Sequence, residues 1–214
     1  MNNIDLNDDI LKKKVDLKIP SSKWIHKWGI DDINAQFIYN MIINLKPEII
    51  IETGTFEGQG TYVLAQAAHI NNNNSKIYTI DYDGDPTSTT ISLEQWKDLK
   101  KIRDDNLHKI KEEFPNVDVV FLDGDSREML PKIFNEYGEQ KCDFFYQDSM
   151  HFIEGIQQEW NLVKSQLSTN SITIFDDLQL KGVQKFRDWF IKNETGYNLF
   201  ELNNGHKQFI ISKK

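Results

Sequence analysis

The sequence predicts an α/β fold in which one mostly parallel sheet is covered by helices on both faces. Three observations predict it. Five short apolar runs, rich in β-branched or aromatic residues, recur along the 214-residue chain. Each is followed by a stretch whose apolar residues return every three or four positions, as on one face of a helix. Each run also leads into a turn carrying Asp or Gly. Strands that alternate with helices at this spacing pair in parallel, because each crossover brings the chain back to the same end of the sheet.

The first 20 residues have weak periodicity, end at Pro20, and read as a short helix or an arm. Residues 21–30 carry Trp24, His26 and Trp28, a large ring surface for a connecting segment. A helix follows from the acidic pair Asp31 and Asp32, striped by Ile33, Phe37, Met41 and Leu45 with Ile38 and Ile42 beside them, and Pro47 stops it. The first strand, Glu48 to Glu52, runs into the turn Thr53-Gly54-Thr55-Phe56-Glu57-Gly58-Gln59-Gly60 and then a helix to Ile70. The second, Lys76 to Ile80, ends at Asp81 and precedes a loop to Ile91. Ser92 and Gln95 are spaced as a capping box, ahead of a helix striped by Leu93, Trp96, Leu99, Leu107, Ile110 and Phe114.

The third strand, Val117 to Leu122, leads through Asp123-Gly124-Asp125-Ser126 to a helix expected to settle at Pro131, since proline favours the first helical position. The fourth, Asp143 to Tyr146, reaches Asp148. The helix after it is striped by Ile153, Ile156, Trp160, Val163 and Leu167. The fifth, Ile172 to Phe175, ends at Asp176 and Asp177, ahead of a helix striped by Val183, Phe186 and Phe190. Tyr197 to Glu201 and Gln208 to Ile211 flank Asn203-Asn204-Gly205, a hairpin signal. With no repeat or linker in view, residues 1–46 are expected to form a helical extension packed on the core, and residues 47–214 a single domain.

Composition narrows the function. Lys plus Arg number 25 and Asp plus Glu 33, a formal net charge of −8. Such a chain has no whole-molecule attraction to phosphate backbones or anionic bilayers, which disfavours nucleic-acid partners. A single cysteine, Cys142, excludes an intramolecular disulfide and suits a reducing compartment. No apolar run reaches the roughly 18 residues needed to span a bilayer. The polar N-terminus lacks the apolar core of a signal peptide, so a cytoplasmic protein is expected.

In open α/β sheets, ligands bind at the carboxyl ends of the strands. The first such end carries Glu52, Gly54, Gly58 and Gly60, where glycines let backbone approach a ligand. Their spacing is neither the pyrophosphate fingerprint nor a P-loop, which disfavours a nicotinamide dehydrogenase. Asp81 at the second end suits the two hydroxyls of a ribose, and Asp125 with Ser126 at the third suits an adenine amino group. Asp148, Asp176 and Asp177 end the fourth and fifth strands. If those strands are neighbours, the carboxylates repel unless a cation or proton lies between them. Oxygen donors of this kind favour Mg2+, Ca2+ or Mn2+. His151, three residues beyond Asp148, is a candidate base.

Together the stretches IIIETGTFEGQGT (49–61), IYTIDYD (77–83), VVFLDGDSREMLP (119–131), FFYQDSMHFIEGI (144–156) and ITIFDDLQLKGV (172–183) resemble class I S-adenosylmethionine-dependent methyltransferases, in particular the small O-methyltransferases of the macrocin and sugar type. The resemblance implies a three-layer Rossmann-like sandwich of seven strands, one of them antiparallel and inserted by the final hairpin. It implies S-adenosylmethionine contacts from Glu52, Gly54, Thr55, Gly58, Gly60, Asp81, Asp125 and Ser126. It implies a divalent metal, Mg2+ or another hard cation, on Asp148, Asp176 and Asp177, with Asp148 and His151 catalytic. Where many relatives carry Ser, this chain has Gly60, and where they often carry Asp-Asn it has Asp176-Asp177. The implied acceptor is a small hydroxylated molecule, such as a sugar or natural product, with Trp24, Trp28 and the 82–91 loop as candidate walls. A homodimer is also compatible with the resemblance. A metal-independent methyltransferase and a non-catalytic cofactor-binding module stay open on the residues alone.

Overall fold

The computed structural model describes residues 14–20, 30–82, 92–135, 141–203 and 206–214. The aromatic cluster at Trp24 and Trp28, most of the 82–91 loop, and the hairpin residues Asn204 and Gly205 lie outside that set.

The elements run α1 (Asp32–Leu45), β1 (Ile49–Thr53), α2 (Gln59–Asn71), β2 (Lys76–Asp81), α3 (Leu93–Glu113), β3 (Asp118–Asp123), α4 (Ser126–Asn135), β4 (Cys142–Gln147), α5 (Ile153–Val163), β5 (Leu167–Phe175), α6 (Lys181–Asn193), β6 (Tyr197–Leu202) and β7 (Gln208–Lys213). The seven strands lie in the order β3-β2-β1-β4-β5-β7-β6. Neighbours from β3 to β5 pair in parallel, and β7 runs antiparallel between β5 and β6. The expected Rossmann-like sheet is therefore present. The order reverses between β1 and β4, which places the switch-point crevice there.

Successive strand residues face opposite ways, so each strand feeds two cores. Ile50, Ile77, Phe144, Ile174 and Ile210 pack with α1, α2 and α3. Ile51, Tyr78, Phe145, Phe175 and Ile211 pack with α4, α5 and α6. The second core is ring-rich: Trp160 meets Phe190 at 5.1 Å and Tyr197 at 5.4 Å between centroids, and its indole N–H donates to Glu194. Buried aromatic pairs of this kind add about 0.5–1.5 kcal/mol each beyond their area.

Local chemistry explains the boundaries. Asp31 caps α1, its Oδ1 accepting from the Ile33 and Asn34 N–H groups. Both halves of the Ser92–Gln95 capping box are formed at α3. Residues 14–20 are an extended arm without helix, tied to α1 through a two-way bond between Val15 backbone and the Gln36 amide.

Three expectations are corrected. The helix after β3 starts at Ser126, and Pro131 lies inside it. Asp125 supplies the cap, taking the Arg127 N–H on its side chain and the Glu128 and Met129 N–H groups on its carbonyl. That capping outweighs the lost bond at Pro131. In α1, Ile33 is 49% exposed, whereas Phe37, Ile38, Met41 and Ile42 are buried as expected, with Ala35 beside them. The Leu167 position belongs to β5, because α5 ends at Val163 and Leu167 pairs with Cys142 of β4.

Candidate active site

Glu52, the penultimate residue of β1, is fully buried. Its Oε2 accepts hydrogen bonds from Thr61 at 2.5 Å and Thr79 at 2.6 Å. Its Oε1 is buried without a hydrogen-bond partner. Burial pushes this carboxyl up to about 7 despite the two hydroxyl donors. Gly60 lies against that free oxygen, and a Cβ there would collide with it. Glycine in place of the relatives' serine thus makes room for Glu52.

Gly54 has φ +94°, and a Cβ on it would strike the carbonyl of Asp148. Its N–H and that of Thr55 donate to the Ile80 carbonyl, while the Thr55 hydroxyl meets that of Thr79 at 2.6 Å. Gly58 caps α2 in the left-handed region. Asp81 accepts the Phe56 N–H on Oδ2 at 2.6 Å and the Tyr82 N–H on Oδ1 at 2.8 Å. Asp125 is placed differently. Arg127 grips both of its oxygens and holds its carboxyl below the usual range. Its acceptor capacity is spent on that clamp. Ser126, beside it, is buried at the start of α4.

On the other side of the crevice, β4 and β5 pair directly, and Asp148 and Asp177 both face His151. His151 Nε2 lies 3.6 Å from Asp148 Oδ1 and 3.1 Å from Asp177 Oδ2. One ligand atom from each of the three lies within 4.8 Å of the others, a spacing that would admit a metal ion. Burial alone would lower the imidazole, but the two carboxylates win and push it up to about 10. Burial would raise Asp177, but the His151 charge holds it below the ordinary value. Asp148 is raised well above the carboxylate range, first by burial and then by the charge of Asp176.

Asp176 stands one step back. Its Oδ2 takes the Tyr146 hydroxyl at 2.5 Å and its Oδ1 the Asp177 N–H at 2.8 Å. Burial and the charge of Asp177 lift it to about 6, against the bond from Tyr146. The three aspartates are neighbours, yet His151, rather than Asp176, completes the tight cluster.

Several participants are absent from the sequence reading. The Tyr146 hydroxyl also lies 3.5 Å from Asp148, so it spans two of the acids. His206 has its Nδ1 3.8 Å from Asp177 Oδ1. Its backbone is held from both sides by α1: the N–H donates to Asp31 at 2.6 Å, and the carbonyl accepts from Asn34 at 2.9 Å. Gly182 lets α6 close on the Asp148–His151 turn, because a Cβ there would strike the His151 carbonyl. Apart from the Tyr146–Asp148 approach, these contacts join residues remote in sequence. The only local signals were Asp31 as a cap and a glycine inside an amphipathic helix.

A sequence model of the methyltransferase domain family matches residues 51–178, and the chain belongs to that family. It is an S-adenosylmethionine-dependent methyltransferase. Solved structures share the fold at low identity. An O-methyltransferase from Bacillus cereus in complex with SAH is 16% identical, with 88% of this chain and 84% of that one covered and a TM-score of 0.65. The O-methyltransferase TomG from Streptomyces achromogenes, in complex with SAM, is 12% identical, covers 92% of each chain and has a TM-score of 0.66. A TDP-rhamnose 3'-O-methyltransferase of calicheamicin biosynthesis is 19% identical over 84% of this chain and 77% of that one, with a TM-score of 0.62. No curated protein matches the chain.

Proposed function

We propose that the enzyme methylates a hydroxyl oxygen of a small acceptor, a sugar or other natural product, with help from a divalent cation. The observation that carries this reading is the contact between the two half-sites: the glycine turn after β1 abuts the Asp148 carbonyl, beside the Asp148–His151–Asp177 cluster. A methyl donor on the turn would face an acceptor on the cluster. The sugar acceptor rests on the resemblance and on the printed activity of the calicheamicin-pathway neighbour.

S-adenosylmethionine brings an electrophilic methyl on a sulfonium, and a hard cation lowers the pKa of an acceptor hydroxyl. The residues fit both groups. Glu52 offers a buried unpartnered oxygen toward positive charge, and Asp81 stands at the end of β2, held by the Phe56 and Tyr82 N–H groups, where a ribose would lie. Asp148 and Asp177 present facing carboxylates, and the His151 Nε2 between them is buried without an aligned hydrogen bond. Those two carboxylates would hold the cation, with Asp176 fixed behind them by Tyr146. The rest is positioning, the larger part of catalysis when two bound partners react. His151 would take the acceptor proton in its neutral form, after releasing its own proton to solvent.

One observation favours a metal-free variant: His151, pushed up to about 10, already neutralises charge between the carboxylates. Chelation separates the two. Methyl transfer from labelled cofactor to a panel of sugars and phenols should fall at least about a hundredfold on chelation and in Asp148→Asn, as loss of a metal ligand or catalytic acid–base group does. Unchanged turnover after chelation, with loss in Asp148→Asn, supports the metal-free variant.

A further inference from the structure

Glu159 is a second buried carboxylate with no part in the chemistry above. It sits just past the middle of α5, is fully buried, and reaches toward the ends of β1 and β4 through Ser149. The Ser149 hydroxyl donates to its Oε1 at 2.6 Å and lies 3.2 Å from the Thr53 hydroxyl. Ser126, Gln147 and Thr53 present their polar ends to the same carboxylate. These four residues lie at or just past the ends of three strands. Thr53 precedes the glycine turn, Ser126 opens α4 after β3, and Gln147 and Ser149 stand on either side of Asp148. Gln147 in turn closes the Asp148 turn, its amide N–H donating to the Met150 carbonyl at 3.0 Å.

Burying a carboxylate is costly unless donors surround it. Here the Ser149 hydroxyl holds one oxygen and reaches Thr53, while the other oxygen, Oε2, is buried without a hydrogen-bond partner, a cost that packing alone does not explain. We infer that Glu159 is a positioning residue: through Ser149 it ties the turn after β4 to the end of β1, and so sets the cofactor-side residues against Asp148. A side chain that served packing alone would need no acid at this place, since the neighbouring α5 positions Ile156, Trp160 and Val163 already fill the core.

The inference rests on the methyltransferase reading of the site. Its test uses the full-length protein, S-adenosylhomocysteine as probe, and calorimetry beside urea unfolding. Glu159→Gln keeps the shape but removes the charge that the Ser149 hydroxyl meets. It should weaken S-adenosylhomocysteine binding about tenfold, a change of about 1.4 kcal/mol. Ser149→Ala removes the bond from the other partner and should weaken binding in the same direction with a smaller loss of stability. Binding within twofold of the wild type in both variants, whatever their stability, overturns the inference and leaves the site reading intact. Failure of the wild type itself to bind S-adenosylhomocysteine overturns the site reading instead.

Discussion

At the residue scale, the two sides of the crevice use burial to opposite ends. Glu52 is raised to about 7 because it is fully enclosed. Its carboxyl is protonated in the folded chain and ionised in the unfolded chain between the ordinary value near 4.5 and about 7. The folded state then holds more protons than the unfolded one, so stability falls as pH rises through that window, by roughly 3 kcal/mol in total. A cationic cofactor pulls the other way, since it favours the ionised form. S-adenosylmethionine binding should tighten up to about tenfold from pH 6 to pH 8. Glu52→Gln should flatten both dependences, read by calorimetry and by melts at the two pH values. An equal slope in wild type and variant would detach Glu52 from the cofactor. His151 and Asp177 show the contrasting outcome: each is half-buried, yet mutual attraction outweighs desolvation and keeps both charged.

At the element scale, the turn from Asp148 to His151 is fixed by close approach on two sides. The β1 turn presses on it at Gly54 and α6 presses on it at Gly182, each where a Cβ would meet backbone. Backbone cannot swing aside as a side chain can. Gly182→Ala should therefore cost about 1–3 kcal/mol by overpacking and displace His151. Gly196→Ala is the control. Nothing lies within 4 Å of its Cβ, but its φ of +88° makes alanine strained by about 1–2 kcal/mol. Urea unfolding should show similar losses in both variants, and only Gly182→Ala should lose methyl transfer. Equal activity in the two would mean that α6 does not set the turn. The same scale shows where sequence periodicity stops informing. The alternation of β-branched runs and helical stripes was enough to place the five parallel strands, because parallel pairing follows from it, while β6 and β7 rested on the hairpin signal. It could not place Pro131 or Leu167, where a capping side chain and a strand partner overrode local preference.

At the scale of the whole molecule, the surplus of acid acquires an address. Glu52, Asp148, Asp176 and Asp177, along with Glu159, lie buried or half-buried around one crevice at the carboxyl ends of β1, β4 and β5. The strand-end acids were legible in the sequence because position at a strand end is itself a spatial statement in this fold. Tyr146, Glu159 and His206 were not, since their partners are chosen by strand order, helix packing and a hairpin clamped to α1. The central claim is that the glycine turn and the Asp148–His151–Asp177 cluster form one active site. A crystal structure with S-adenosylhomocysteine and Mn2+ bound, phased at the manganese edge, tests it most directly. The account predicts the ribose on Asp81 and a manganese peak held by Asp148 and Asp177. A ligand bound away from the glycine turn, or a nucleoside in place with no peak at those carboxylates, would contradict it.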